Sequence, residues 1–150
     1  VDSNGTIKIC DFGISKLMTI EEQTTTLGPG TQKFMAPEII NEEEVYNEKV
    51  DVYSFGVVLF FILSSGEMPK IKLFDIPNGK KAEIPEYFTT FAKKLIYECW
   101  NLDPNERPSF DEILKQLDKN NYNIMKLSSE EVQNVKNLVE KHKLKIPKYQ

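Results

Sequence analysis

The sequence predicts a mainly α-helical fold that begins with a short β-hairpin. Apolar residues recur every three or four positions over Phe88–Trp100, which is the spacing of the buried face of an amphipathic helix. Ser109 and Glu112 have the spacing of a capping box, in which each side chain binds the other residue's backbone N–H at a helix start. Thr6–Cys10 alternates between apolar and polar residues, and this period of two is typical of a strand.

The hairpin is predicted from Asn4-Gly5, which stands directly before the alternating stretch. Asn and Gly both tolerate the positive φ angles of a two-residue type I′ turn, so a strand of Val1-Asp2 and a strand over residues 6–10 can pair across it. Residues 14–35 then lack helical or strand periodicity over most of their length. We expect a long loop there, of the kind that proteins usually keep for function.

The first long helix is predicted from near Val50 to about Ser64. It is apolar nearly all round, which is typical of a buried core helix, and Gly66 follows its end. Its apolar run Val57–Leu63 is far shorter than the roughly 18 residues of a membrane span. A short amphipathic piece over Ile71–Ile76 follows.

The next two helices are predicted from their apolar faces. One follows Pro85 and has its apolar face at Phe88, Phe91, Ala92, Leu95, Ile96, Cys99 and Trp100. The other begins at the capping box, and its inner face is predicted at Phe110, Ile113, Leu114 and Leu117. Residues 119–150 are predicted to form a linker at Asn120–Asn123 and a C-terminal amphipathic helix. Ser128 and Glu131 would cap that helix.

Composition indicates a globular protein of one modest domain, with 150 residues and 40% hydrophobic content. The formal net charge is −4, but residues 1–118 carry 12 basic against 20 acidic residues, while residues 119–150 carry seven against three. An acidic body with a basic tail does not by itself indicate nucleic acid or a membrane. Cys10 and Cys99 lack metal-like spacing and are expected to be reduced core cysteines.

Four motifs in a fixed order carry a family resemblance. The first is Asp11-Phe12-Gly13, and Gly30-Thr31-Gln32-Lys33-Phe34-Met35-Ala36-Pro37-Glu38 is the second. The third is Asp51-Val52-Tyr53-Ser54-Phe55-Gly56, and the fourth runs from Cys99-Trp100 to Arg107-Pro108-Ser109-Phe110. Together they resemble the activation segment and C-terminal lobe of protein kinases, most closely the tyrosine-kinase-like group, which mostly phosphorylates Ser and Thr. The resemblance covers residues 1–118 and implies a partial kinase domain there.

The resemblance implies roles for individual residues. Asp11 matches the aspartate that holds Mg²⁺ on the ATP phosphates, so ATP and Mg²⁺ are the implied cofactors. Phe12 would pack between the two kinase lobes, and Gly13 would let the backbone reverse. Thr31 matches a threonine that bonds the catalytic loop in Ser/Thr kinases. The alternative for Thr31 is an ordinary loop threonine.

Five further residues have implied structural roles. Ala36, Pro37 and Glu38 would anchor the far end of the activation segment, which begins at Asp11. Glu38 and Arg107 match a buried ion pair that joins this segment to the late helices, where a planar guanidinium suits a carboxylate better than lysine does. Asp51 matches a helix-start carboxylate that accepts bonds from the catalytic-loop backbone. A second role, compatible with the first, is the favourable charge of an acid at a helix N-terminus.

The printed residues contain no Gly-rich loop, no ATP-binding lysine and no His-Arg-Asp catalytic loop. The catalytic base is expected upstream of Val1, and the 150 residues alone are expected to be inactive. The function implied is part of an ATP-dependent protein kinase that phosphorylates Ser/Thr on proteins. The alternative is a pseudokinase, or a lone C-terminal lobe that acts as a non-catalytic interaction module.

Expected partners are a protein substrate and the upstream kinase lobe of the parent chain, with no nucleic acid and no membrane segment in these residues. A cytoplasmic location is expected, although the parent could be attached to a membrane through other regions. Thr24, Thr25 and Thr26 are candidate phosphorylation sites because they lie in the polar loop between Asp11 and Glu38.

Overall fold

A computed structural model describes residues 31–41, 46–120, 123–125, 129–131, 133–134 and 136–137. The predicted hairpin, Asp11-Phe12-Gly13 and the three candidate phosphorylation sites all lie outside these ranges. The described part is helical and contains no strand. Its residues up to 120 comprise four α-helices and three 3₁₀ turns. The α-helices are α1 (Pro37–Ile40), α2 (Lys49–Leu63), α3 (Thr90–Cys99) and α4 (Phe110–Lys119), and the 3₁₀ turns are Thr31–Phe34, Leu73–Asp75 and Pro104–Glu106.

Helices α2 and α3 form the core of the described fold. Gly56 allows their close approach, because a Cβ atom at this position would lie 2.8 Å from Cys99 Cβ and 2.9 Å from Trp100 Cδ1. Phe60, one turn further along α2, packs on Trp100 with 5.8 Å between ring centroids and on Phe88 with 5.5 Å. The glycine is therefore a contact point between helices rather than a flexible residue.

Helix α3 matches its predicted amphipathic pattern. Ala92, Leu95, Ile96 and Cys99 are fully buried on one face. The helix begins later than the pattern suggested, at Thr90, because the Thr89 hydroxyl oxygen caps it by accepting a hydrogen bond from the Ala92 N–H at 3.1 Å. Phe88 is buried as predicted but lies before the helix. Burial raises the pKa of the Cys99 thiol to about 12, so this cysteine is an inert core residue.

Helix α4 begins with the predicted capping box. The Ser109 N–H donates to Glu112 Oε2 at 2.7 Å, and the Glu112 N–H donates to Ser109 Oγ at 3.2 Å. The Ser109 hydroxyl also donates to Glu112 Oε2 at 3.0 Å. The bonds from the Ser109 N–H and hydroxyl lower the pKa of the Glu112 carboxyl below its ordinary value, because they favour its charged form.

The predicted inner face of α4 is wrong at two of its four positions. Ile113 is buried, but Phe110 is 45% exposed and Leu114 is 57% exposed. The period of a helix does not reveal how wide a stripe its neighbours cover, and here they cover a narrow one. Phe110 still makes an edge-on contact with Phe55 of α2, with 5.7 Å between ring centroids.

The connection between α2 and α3 turns sharply at its start. Ser65 and Gly66 have φ angles of 61° and 97°, so the predicted glycine does end α2. The predicted amphipathic piece over residues 71–76 is a three-residue 3₁₀ turn, Leu73–Asp75. The Asn78 side chain holds this turn by donating to the Phe74 carbonyl oxygen at 2.8 Å.

The C-terminal region is described only in part. Residues 129–131, 133–134 and 136–137 are helical, where the sequence predicts a helix. Ser128, the predicted cap of that helix, lies outside the described ranges. The Ile124 carbonyl oxygen accepts a hydrogen bond from the Thr89 hydroxyl at 3.0 Å, which ties this part of the chain to the start of α3. In the part of the chain that the structure describes, no helix combines the length and the apolar character that crossing a bilayer requires.

Candidate functional site

The segment before α1 is held against α2 by a side chain of that helix. Thr31–Phe34 forms a 3₁₀ turn, and an extended Ala36 then leads into Pro37, whose fixed φ suits the first position of α1. The Ser54 hydroxyl donates to the Phe34 carbonyl oxygen at 2.7 Å. The turn therefore has a fixed position on α2 even though it is short.

Arg107 forms the centre of the site. Its Nη1 lies 2.6 Å from Glu38 Oε1, and its Nη2 lies 2.8 Å from Glu38 Oε2. The two parallel bonds make a bidentate pair between a planar guanidinium and a carboxylate. Arg107 is 1% exposed and Glu38 is 4% exposed, so both charges are withdrawn from water. The structure thus brings together the two residues that the family resemblance pairs.

Backbone carbonyl oxygens accept the remaining Arg107 N–H groups. Nε donates to the Asn101 carbonyl oxygen at 2.8 Å, Nη1 donates to that of Lys49 at 3.0 Å, and Nη2 donates to that of Leu102 at 3.4 Å. All five guanidinium donors are therefore used. In return, the Lys49 ammonium group donates to the Arg107 carbonyl oxygen. One side chain thus connects α1, the start of α2 and the chain after α3.

Tyr53 covers the face of the guanidinium. The Arg107 Cζ atom lies 5.2 Å from the Tyr53 ring centroid, which is a cation–π distance. Burial raises the pKa of the Tyr53 hydroxyl to about 12; Arg107 acts to lower it, and Glu38 acts to raise it. The phenol therefore stays neutral at physiological pH. Among the described residues, Glu38 is the only buried acidic partner of Arg107.

The other predicted site residues are placed separately. Ala36 and Pro37 are buried beside Glu38. Asp51 lies in the first turn of α2 and is exposed, and its carboxylate has no hydrogen-bond partner in the described part of the chain. Thr31 begins the 3₁₀ turn. Asp11, the predicted magnesium ligand, lies outside the described ranges, and no group of three or more metal-binding side chains occurs within them.

Sequence reasoning missed two features of the site. Lys49 and Ser54 hold the segment and Arg107 in place, yet a lysine before an apolar helix and a serine within it look ordinary in sequence. A cavity of about 300 Å³ also lies beside the site, between Gln32–Pro37, α2 and the connection from α2 to α3. Its walls come from distant stretches of the chain, so no local pattern could reveal it.

Comparison with known proteins agrees with this geometry. The family model described as protein tyrosine and serine/threonine kinase matches residues 1–117. The chain belongs to this kinase family. The resemblance that the four motifs carry is therefore confirmed, and so is the helical fold expected of a kinase C-terminal lobe.

Curated kinases of Dictyostelium discoideum are similar to this chain. The dual specificity protein kinase shkE is 38% identical over 131 residues, which cover 79% of this chain and 18% of shkE. A probable serine/threonine-protein kinase is 38% identical over 125 residues, covering 79% of this chain and 9% of that protein. The dual specificity protein kinase shkB is 40% identical over 126 residues, covering 77% and 19%. The chain thus spans less than a fifth of the length of each of these relatives.

Proposed function

We propose that the chain is part of an ATP-dependent protein kinase that phosphorylates Ser and Thr in protein substrates. The observation that carries the proposal is the buried bidentate pair between Glu38 and Arg107. It fixes the end of the segment that kinases place next to the substrate. The family match and the serine/threonine kinase among the relatives support the same activity. In this proposal residues 1–118 form the partial kinase domain, and residues 119–150 form a linker and a helix. We expect the parent in the cytoplasm.

ATP and Mg²⁺ are the proposed cofactors, and together they supply the transferable phosphoryl group and the charge that stabilises it. Asp11 would hold the metal, because a hard carboxylate oxygen suits Mg²⁺. Asp51 would accept backbone bonds from a catalytic loop, and its exposed carboxylate at the start of α2 leaves room for that partner. Phe12, Gly13 and Thr31 keep the roles that the resemblance implies.

The apolar surface of α2 supports an upstream lobe as a partner. Val58, Phe61 and Ile62 lie on one stripe of the helix and are 42%, 38% and 61% exposed. An apolar stripe of this kind on an otherwise buried helix is typical of a surface that another protein segment covers. We assign that segment to the part of the parent kinase that would also supply ATP binding and the catalytic base.

The proposed activity is tested by phosphotransfer assays on the parent protein. Asp11→Asn should lower the turnover number at least about a hundredfold, because the metal loses its carboxylate ligand and charge stabilisation is the main catalytic term. Asp111→Asn, at an exposed carboxylate of α4, is the matched control and should leave turnover unchanged. Phosphoamino-acid analysis of the product should show phosphoserine and phosphothreonine.

Two results would contradict the proposal. A parent protein that is folded but transfers no phosphate would favour the non-catalytic interaction module. Phosphoryl transfer requires several groups that position the reactants together, so the 150-residue polypeptide alone should show no turnover. Turnover by that polypeptide would show that a Gly-rich loop, an ATP-binding lysine and a separate catalytic base are dispensable.

Phosphorylation of Thr24, Thr25 or Thr26 is proposed as the switch of this kinase. A phosphate adds up to about two negative charges and pairs with cationic side chains, which orders the segment that carries it. Replacement of all three threonines with Ala in the parent should therefore reduce its activity. Mass spectrometry must show that Thr19 and Thr31 are unmodified in the variant. Full activity under those conditions would rule out the switch.

A further inference from the structure

The cavity beside the Glu38–Arg107 pair has an apolar floor. Val57 of α2, Trp100 after α3, and Ile76 and Ala82 of the connection line it, and each is less than a tenth exposed. Its volume of about 300 Å³ is at the lower limit of pockets that bind small ligands, roughly 300–1,000 Å³. A ligand of one or two large apolar side chains would suit this space.

The wall of the cavity is basic. The lining includes Lys33, Lys70, Lys80 and Lys81, and the described residues that line it include no Asp or Glu. The chain as a whole has a net charge of −4, so this concentration of positive charge runs against its overall composition. Electrostatic complementarity therefore favours an acidic ligand.

Two of the four lysines have no ion-pair partner in the part of the chain that the structure describes. Lys80 is paired with Asp75 at 2.8 Å, and Lys81 lies over the Tyr97 ring at 5.6 Å from its centroid. Lys33 and Lys70 are exposed, and neither has an ion-pair partner in the described ranges. They come from two separate segments of the cavity lining, Lys33 before α1 and Lys70 after α2.

We propose that this cavity docks a segment of the protein substrate in which one or two large apolar side chains are flanked by Asp or Glu. That the docked segment belongs to a kinase substrate rests on the proposed function, whereas the docking itself does not. A polypeptide fits better than a fatty acid, because lysines on separate chain segments match several carboxylates and a fatty acid carries one. Since Ser54 and Glu38 fix the Gln32–Pro37 segment, the cavity is already formed before a ligand arrives.

The test uses the parent protein and a fluorescein-labelled octapeptide, Asp-Glu-Glu-Leu-Phe-Glu-Asp-Asp, which contains no residue that can be phosphorylated. Its binding is measured by fluorescence anisotropy without ATP. The Lys33→Glu/Lys70→Glu variant should bind it about tenfold more weakly than the wild type. Lys115→Glu/Lys119→Glu, on exposed α4 positions, changes the net charge equally and should bind as the wild type does. A peptide with Ala in place of Leu-Phe should also bind about tenfold more weakly.

A kinetic measurement tests the link to catalysis. For a Ser/Thr peptide extended by the same acidic and apolar residues, Lys70→Glu, which lies outside the activation segment, should raise KM about threefold and leave kcat unchanged. The unextended Ser/Thr peptide should show no difference between Lys70→Glu and the wild type. This split separates docking from catalysis, because a damaged active site would lower kcat for both peptides.

Several outcomes would overturn the proposal. Equal binding by the two double variants would mean that net charge, and not this cavity, attracts the peptide. If the peptide with Ala in place of Leu-Phe bound as tightly as the original octapeptide, the apolar floor would play no part in recognition. Binding of dodecanoate by a protein that does not bind the octapeptide would identify a fatty-acid site. Octapeptide binding as described, in a parent that transfers no phosphate, would support the docking surface and overturn the kinase activity.

Discussion

Arg107 shows at the residue scale why this chain uses its single arginine where it does. The guanidinium is 1% exposed and satisfies all its donors, two on Glu38 and three on backbone carbonyl oxygens. A lysine has one ammonium group and could not reach these acceptors together. The residue therefore joins segments that are far apart in sequence.

Arg107→Ala should destabilise the region around the pair by about 3–5 kcal/mol, because it leaves the Glu38 carboxylate buried and alone. Arg107→Lys should keep the charge but recover little of this loss. The measurement is hydrogen exchange by mass spectrometry of the parent protein, read on peptides that span residues 34–40 and 96–107.

Lys80→Ala is the matched control for Arg107→Ala. It breaks the ion pair with Asp75, in which the lysine side chain is 67% exposed, and should cost less than about 1 kcal/mol. An effect of Arg107→Ala as small as that of the control would mean that the buried pair does not stabilise the protein.

Gly56 determines how closely two elements pack. Glycine inside a helix normally costs about 0.5–1 kcal/mol relative to alanine. Here a Cβ atom would lie 2.8 Å from Cys99 Cβ and 2.9 Å from the Trp100 ring, closer than such atoms can approach. The packing of α2 on α3 therefore opposes the intrinsic helix propensity.

Gly56→Ala should destabilise the parent protein by about 1–3 kcal/mol, because overpacking outweighs the gain in helix propensity. Whether Gly56→Ala lowers or raises the free energy of unfolding decides between overpacking and helix propensity. Denaturant unfolding followed by circular dichroism measures this change. Lys115→Ala, at an exposed position of α4 and away from the exposed stripe of α2, is the control and should change the stability much less. A stabilised Gly56→Ala variant would show that α3 can move away without cost.

At the scale of the whole molecule, the exposed stripe of α2 predicts opposite effects in two forms of the protein. In the 150-residue polypeptide, Val58→Lys with Ile62→Lys should reduce self-association, because it removes an apolar surface that meets water. In the parent, the same pair of substitutions should destabilise the fold, because the upstream lobe would bury the two charges.

Analytical ultracentrifugation of the polypeptide and thermal unfolding of the parent measure these effects. Lys substitutions at Tyr87 and Leu114 are the control, since both residues are exposed but lie outside α2. If the parent with Val58→Lys and Ile62→Lys were as stable as the wild-type parent, no lobe would cover the stripe.

The sequence by itself determined α2, α3 and α4 and their order, whereas the short helix α1 was not predicted. The capping box at Ser109 and Glu112, the glycine after α2 and the apolar period of α3 are local signals, and a local signal carries its own physical cause. The kinase resemblance was likewise visible in the residues, because four motifs in one order are specific. The same resemblance also paired Glu38 with Arg107.

Tertiary structure alone decided what each element meets. The exposure of Phe110 and Leu114, the roles of Lys49 and Ser54, and the basic cavity all depend on which distant segments come together. The period of a helix gives the direction of its apolar face, but the width of the buried stripe is set by its neighbours. A cavity has no local pattern, because it is the space that several packed segments leave between them.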